Sequence, residues 1–239
     1  MPSTFSTRAV ALIAVFVTSF ALLAASAAAD FGVESFEATL TNRDGSPDVL
    51  AGSHPYEFDT KIAFNFVESE FGPVPDGGNA KNIQVELPPG LIGNPGATPK
   101  CALSELVRIE RCDASTQIGT LTLRLQGLNG YGVYGPFPVY NLTPPGGVAA
   151  QFGFTIFGVT SFIDSRVRTG GDYGITAELK NVPALLPIFE SRLTLWGVPA
   201  DPDHNSEREC PGGGFGCASS AHAAPLFTNP TSCSGVPST

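Results

Sequence analysis

Apolar and polar side chains alternate with a period of two in segment after segment of this chain, and a helical period is almost absent. Tyr56, Phe58, Ile62, Phe64 and Phe66 fall on one face of a strand, with Glu57, Asp59, Lys61 and Asn65 on the other. Ile83, Val85 and Leu87 oppose Asn82, Gln84 and Glu86, and Leu121, Leu123 and Leu125 oppose Thr120, Thr122 and Arg124. Phe152, Phe154 and Ile156 follow the same rule against Gln151 and Thr155. So do Ile175, Ala177 and Leu179 against Thr176, Glu178 and Lys180, and Leu193 and Leu195 close the series. Burial on one face only belongs to antiparallel sheets rather than to parallel strands covered on both sides by helices.

Turn signals separate these runs: Asn42-Arg43-Asp44-Gly45, Pro75-Asp76-Gly77-Gly78, Asn129-Gly130, Pro144-Pro145-Gly146-Gly147 and Gly170-Gly171-Asp172. Gly supplies positive φ and Pro presets the turn, so the chain is broken at the spacing of a β-sandwich. After Val85 the chain meets Pro88 and Pro89, which cannot donate to a sheet ladder, and the strand must stop there. One short helix is predicted beyond it, capped by Thr98 with Pro99 in its first turn and with Leu103, Leu106 and Val107 on one side. The expected fold is all-β, an antiparallel β-sandwich (Ig-like or similar) of about seven to ten strands with one short helix bracketed by a disulfide.

Composition adds the compartment. Arg8, the apolar run of 9–25 and Ala27-Ala28-Ala29 before Asp30 have the order of an export signal, which predicts cleavage after Ala29 and excludes membrane insertion of the mature chain. Five cysteines, Cys101, Cys112, Cys210, Cys217 and Cys233, read in an exported chain as disulfides. Cys101 with Cys112 is the clearest pair, and closing a loop of that length contributes about 3 kcal/mol on the chain-entropy model. Cys210 pairs with Cys217 by proximity, although either can take Cys233 instead. The thiol left over, taken as Cys233, is expected to find its partner beyond Thr239, in the remainder of a longer polypeptide. The domain reading is therefore a signal peptide at 1–29, a sandwich at 30–200 and, at 201–239, a Gly- and Cys-containing linker or the start of a second module.

Charge excludes one class of partner. The chain has 13 basic and 22 acidic side chains, a net −9. Losing Arg8 with the signal leaves −10, with the acids scattered as on a solvated surface. Nucleic acid and anionic lipid need clustered Lys and Arg and are not expected partners.

Chemistry-bearing residues are sparse, and no cofactor is implied. Ser53 and His54 are adjacent in an extended segment, so they point apart and cannot form a nucleophile and base pair. Asp201, Asp203 and Glu207 offer oxygen ligands for calcium, ranked behind a solvated acidic turn, as are Asn42, Asp44, Ser46 and Asp48. Trp196 falls on the polar face if Leu193 and Leu195 face the core, which makes it a candidate platform for a sugar ring or a partner's anchor. The alternative is that it covers the sheet at the corner before Gly197.

The strand and exit NIQVELPPGL at 82–91 resembles repeated β-sandwich modules of bacterial surface proteins. AGSHPYEF at 51–58, LPPGLIGNP at 87–95, STQIGT at 115–120, WGVPADPDH at 196–204 and FTNPTSC at 227–233 are similar to a group of large exported proteins of soil actinobacteria with no assigned activity. The resemblance implies an extracellular, multi-module protein and carries over no catalytic residue. The function expected is a non-catalytic structural or adhesion module, secreted or at the cell surface, with other surface proteins or glycans as partners. A carbohydrate- or calcium-binding module ranks second and a secreted hydrolase third.

Overall fold

The computed structural model describes residues 31–70, 72–127, 130–184 and 187–231; the segment predicted as an export signal, Asn129 and Cys233 lie outside them. Each alternating run becomes a strand, and all pairings between strands are antiparallel. Nine strands form one continuous sheet. In spatial order they are β1 (Val33–Thr41), β2 (Glu57–Phe64), β12 (Ile188–Trp196), β7 (Gln117–Gly127), β8 (Gly130–Leu142), β9 (Ala150–Ile156), β10 (Val159–Val167), β11 (Ile175–Leu179) and β5 (Ile83–Glu86). The layering expected of a sandwich arises from curl, because the two wings of this single ladder, β2-β12-β7 and β10-β11-β5, line one common interior. Near the open edges, a Cβ placed on Gly78 would lie 3.3 Å from that of Phe31, so the loop leading to β5 touches the residues leading into β1. A hairpin of β3 (Phe66–Ser69) and β4 (Gly72–Pro75) continues from β2, and β6 (Ile92–Gly93) pairs with β13 (Phe227–Thr228). Among the described residues no helix is long and apolar enough to cross a membrane.

The helix α1 spans Leu103–Ile109, four residues later than the sequence predicts, and Ala102 rather than Thr98 occupies its N-cap. Cys101 accounts for the delay. Its N–H donates to Asn141 O at 2.9 Å and its carbonyl accepts from Thr143 N–H at 2.9 Å, which keeps the chain extended through 101. Thr98 is buried, and its hydroxyl accepts from the Asn141 amide at 3.1 Å. Leu106 is the helix's one buried residue, and Val107 faces solvent. The Cys101–Cys112 disulfide brackets α1, and Cys210–Cys217 closes a second loop. Both pairings agree with the nearest-neighbour reading and suit an oxidising environment.

Residues 201–231 belong to the same compact unit as the sheet. Leu226 and Phe227 are buried in the main core, and Phe227 meets Phe58 edge to face at 5.6 Å. The return is fixed by hydrogen bonds from Leu226 N–H to Gly197 O at 2.6 Å and from Asn229 N–H to Ser53 O at 2.9 Å. Few apolar anchors separated by polar, Gly-rich stretches carry no periodicity, which is why this segment reads as a linker in sequence.

Candidate functional site

The concave side of the sheet encloses a cavity of about 430 Å³. Alternation builds it: Phe58, Ile62 and Phe64 face it from β2, Leu121, Leu123 and Leu125 from β7, and Phe152, Phe154 and Ile156 from β9. Val159 and Ile163 of β10, Ile175, Ala177 and Leu179 of β11, and Ile83 and Val85 of β5 supply the opposite wall. Side chains of β7, β9 and their neighbours pack densely, whereas these inward residues of β10, β11 and β5 stay only half-buried. The sheet therefore closes around a space that its own side chains do not fill. A sealed void of 430 Å³ would cost on the order of 10 kcal/mol at the usual cavity penalty, as much as a whole domain's stability. Such a space is sustained by being accessible, and Phe157, which both lines the cavity and is 52% exposed at the β9–β10 turn, marks a mouth.

Polar groups in the lining are few. Thr60, Ser161, Ser165 and Ser191 present hydroxyls that make no hydrogen bond to another described residue, and Asn94 is satisfied by Pro225 O and Gly96 N–H. Among the described residues Arg166 is the one charged lining residue, and its guanidinium is held by Asp164 and Glu178, each at 3.1 Å, on the outer face.

Trp196 falls on the outer face, as the alternation requires, yet it is fully buried and so cannot serve as a sugar platform. The turn at Pro202–Glu207 lays His204 flat on it, with ring centroids 4.7 Å apart and planes 11° from parallel. Tyr56 stacks beyond His204 at 4.7 Å, Arg43 sits 5.3 Å from the Tyr56 ring, and Arg208 lies 4.9 Å over Trp196. The result is a column of five side chains joining residues 43, 56, 196, 204 and 208. Tyr56, expected inside, has turned to this column, and Phe66 has moved to the β3–β4 hairpin, where it meets Phe189 edge to face at 5.8 Å.

The calcium candidates do not converge. Asp201 receives Arg43 at 2.9 Å and caps the turn through Asp203 N–H, Asp203 also contacts Arg43, and Glu207 is exposed. Among the described residues no group of three or more acidic, His or Cys side chains could hold a metal. Asp44 accepts from Ser46 within a tight turn, and Asp48 accepts from Ser53, so that set is a turn as ranked. His54 Nδ1 lies 3.2 Å from Phe227 O and 3.1 Å from the Thr228 hydroxyl, which ties the cap segment to the sheet and keeps it away from Ser53 chemistry. The apolar faces are legible in the alternation, but the cavity between them is not, since the space depends on how far the sheet curls.

Burial depresses the His204 pKa to about 4, with Arg208 and Arg43 acting in the same direction and Asp201 against them. The unfolded chain, with the ordinary value of 6.5, takes up the proton first as pH falls. This group's contribution is complete above pH 6.5 and is lost down to about pH 4, a change of about 3 kcal/mol. Urea unfolding at pH 7, 5 and 4 should show a steeper loss in the natural chain than in His204→Phe, which keeps the stack without the titration. Parallel curves would show that His204 does not titrate as its burial demands.

No family model, no curated protein and no solved structure matches the chain.

Proposed function

We propose that this chain is an exported, non-catalytic binding module that holds an apolar guest inside the curl of its sheet. The observation that carries the reading is the lining: seven strands of one sheet direct apolar side chains into a single accessible cavity within the size range of small-molecule sites. Export is supported by the leader pattern at 1–29 together with the two cystines. Nile red, a neutral dye whose emission shifts to the blue in apolar surroundings, should bind saturably at one per chain and raise the melting temperature. Linear, non-saturable partition with no melting shift would refute the binding role.

The spacer or adhesion role expected from the sequence has support of its own. The edge strand β1 is nine residues long, with Val33 and Phe36 exposed, and a neighbouring module's strand can extend such an edge. A well-folded chain that takes up no dye leaves that reading as the better one. The carbohydrate alternative loses its platform with the burial of Trp196.

A further inference from the structure

We infer that the guest is an uncharged lipid-like molecule, an apolar body carrying one or two oxygen atoms, and that the hydroxyls of Thr60 and Ser191 receive those oxygens. The inference rests on the binding role proposed above and concerns which apolar molecule the cavity takes.

Two observations select the class. The first is the absence of any available counter-charge among the described residues of the lining. Among the described residues Arg166 is the only charged one there, and its guanidinium already holds two carboxylates, Asp164 and Glu178. A carboxylate or phosphate drawn inside would lose its water and meet no cation, so anionic lipids are disfavoured whatever their chains contribute. The second is the placement of the hydroxyls. Thr60 of β2 pairs in register with Leu193, and Ser191 of β12 pairs with Ile62, so Thr60 and Ser191 are diagonal neighbours on one wall. Ser161 and Ser165 stand on β10, on the opposite wing. None of the four hydroxyls has a partner among the described residues. A pure hydrocarbon would bury them without a hydrogen bond, which is unfavourable, whereas an alcohol, ester or ketone oxygen satisfies them. An oxygen on an otherwise apolar chain is therefore preferred both to none and to a charged pair.

The test uses the full mature chain and three probes of equal chain length, dodecanol, methyl dodecanoate and dodecanoate, each displacing Nile red at pH 8. Dodecanol and the ester are expected to displace the dye at concentrations at least tenfold below those dodecanoate needs. Thr60→Val combined with Ser191→Ala should weaken dodecanol about tenfold and leave dodecane, which has no oxygen to lose, within about twofold, each displacement being referred to the dye's own affinity for the same variant, because only hydrogen bonds are removed. Thr60→Ser, which keeps the hydroxyl, should restore most of the loss when paired with natural Ser191. Equal displacement by dodecanoate, or an unchanged dodecanol affinity in the double variant with a natural melting curve, overturns the inference and leaves the binding role standing. Failure of Nile red and all three probes to bind removes the binding role, and this inference with it.

Discussion

Arg208→Ala should lower the free energy of unfolding by about 3–5 kcal/mol, read from urea titration at pH 7. Arg208 is fully buried, and among the described residues no carboxylate lies within ion-pairing distance of it. Carbonyls take the place of a counter-ion. Its guanidinium donates to Pro199 O at 2.5 Å, to Ala114 O at 3.2 Å and to Gln117 O at 3.4 Å, and it covers the Trp196 face at 4.9 Å. Burial lowers its pKa, so the charge is costly by itself and is retained for what it organises. Truncation takes a donor from three carbonyls, of which Ala114 O keeps the Gln117 N–H, and opens a cavity beside Trp196, while Gln117, whose side chain bonds Glu207 O and Glu209 N–H, loses its neighbour. Arg208→Lys keeps the charge but not the planar fork and should recover less than half of the loss. A cost below 1 kcal/mol for the alanine variant would show that the 201–217 segment is not anchored through this residue.

Gly197→Ala should cost at least about 3 kcal/mol, with a melting temperature lower by several degrees. Three segments of the chain meet at this residue: its N–H donates to Tyr56 O at 2.7 Å and its carbonyl accepts from Leu226 N–H at 2.6 Å. An added Cβ would lie 1.6 Å from Pro55 O and 2.7 Å from the Pro55 carbonyl carbon. Both are backbone atoms of a buried residue, so relief requires moving the segment before β2 or the cap, and either breaks one of those hydrogen bonds. Gly45, where an added Cβ meets nothing within 4 Å but φ is +81°, serves as a control that isolates backbone strain. Its alanine variant should cost only about 1 kcal/mol. A Gly197→Ala variant as stable as that control would contradict the close approach of strand and cap.

Local pattern was enough for everything decided within a few residues. The inward set from Phe58 to Leu195 follows from alternation, and the two cystines follow from separations of 11 and 7 residues. Alternation also placed Trp196 on the outer face, but it could not supply the cover, because His204 and Arg208 are single residues in a polar stretch with no period of their own. Strand order was equally hidden, since β2 pairs with β12 across more than a hundred residues and nothing local selects that partner. The helix began late for the same reason: a bridge between Cys101 and Leu142 overrode the Thr98-Pro99 start signal. Where a side chain's neighbours lie far along the chain, propensity gives its face and the tertiary contacts decide its environment.

Ala177→Phe tests the accessible interior most directly. Ala177 sits at the centre of β11, opposite Ser165 on one side and Val85 on the other, and faces the cavity. A phenyl ring there should enter open space, leaving the urea unfolding free energy within about 1 kcal/mol of the natural chain while Nile red affinity falls at least tenfold. A loss of about 1–3 kcal/mol with dye uptake unchanged, the signature of overpacking a filled core, would contradict it.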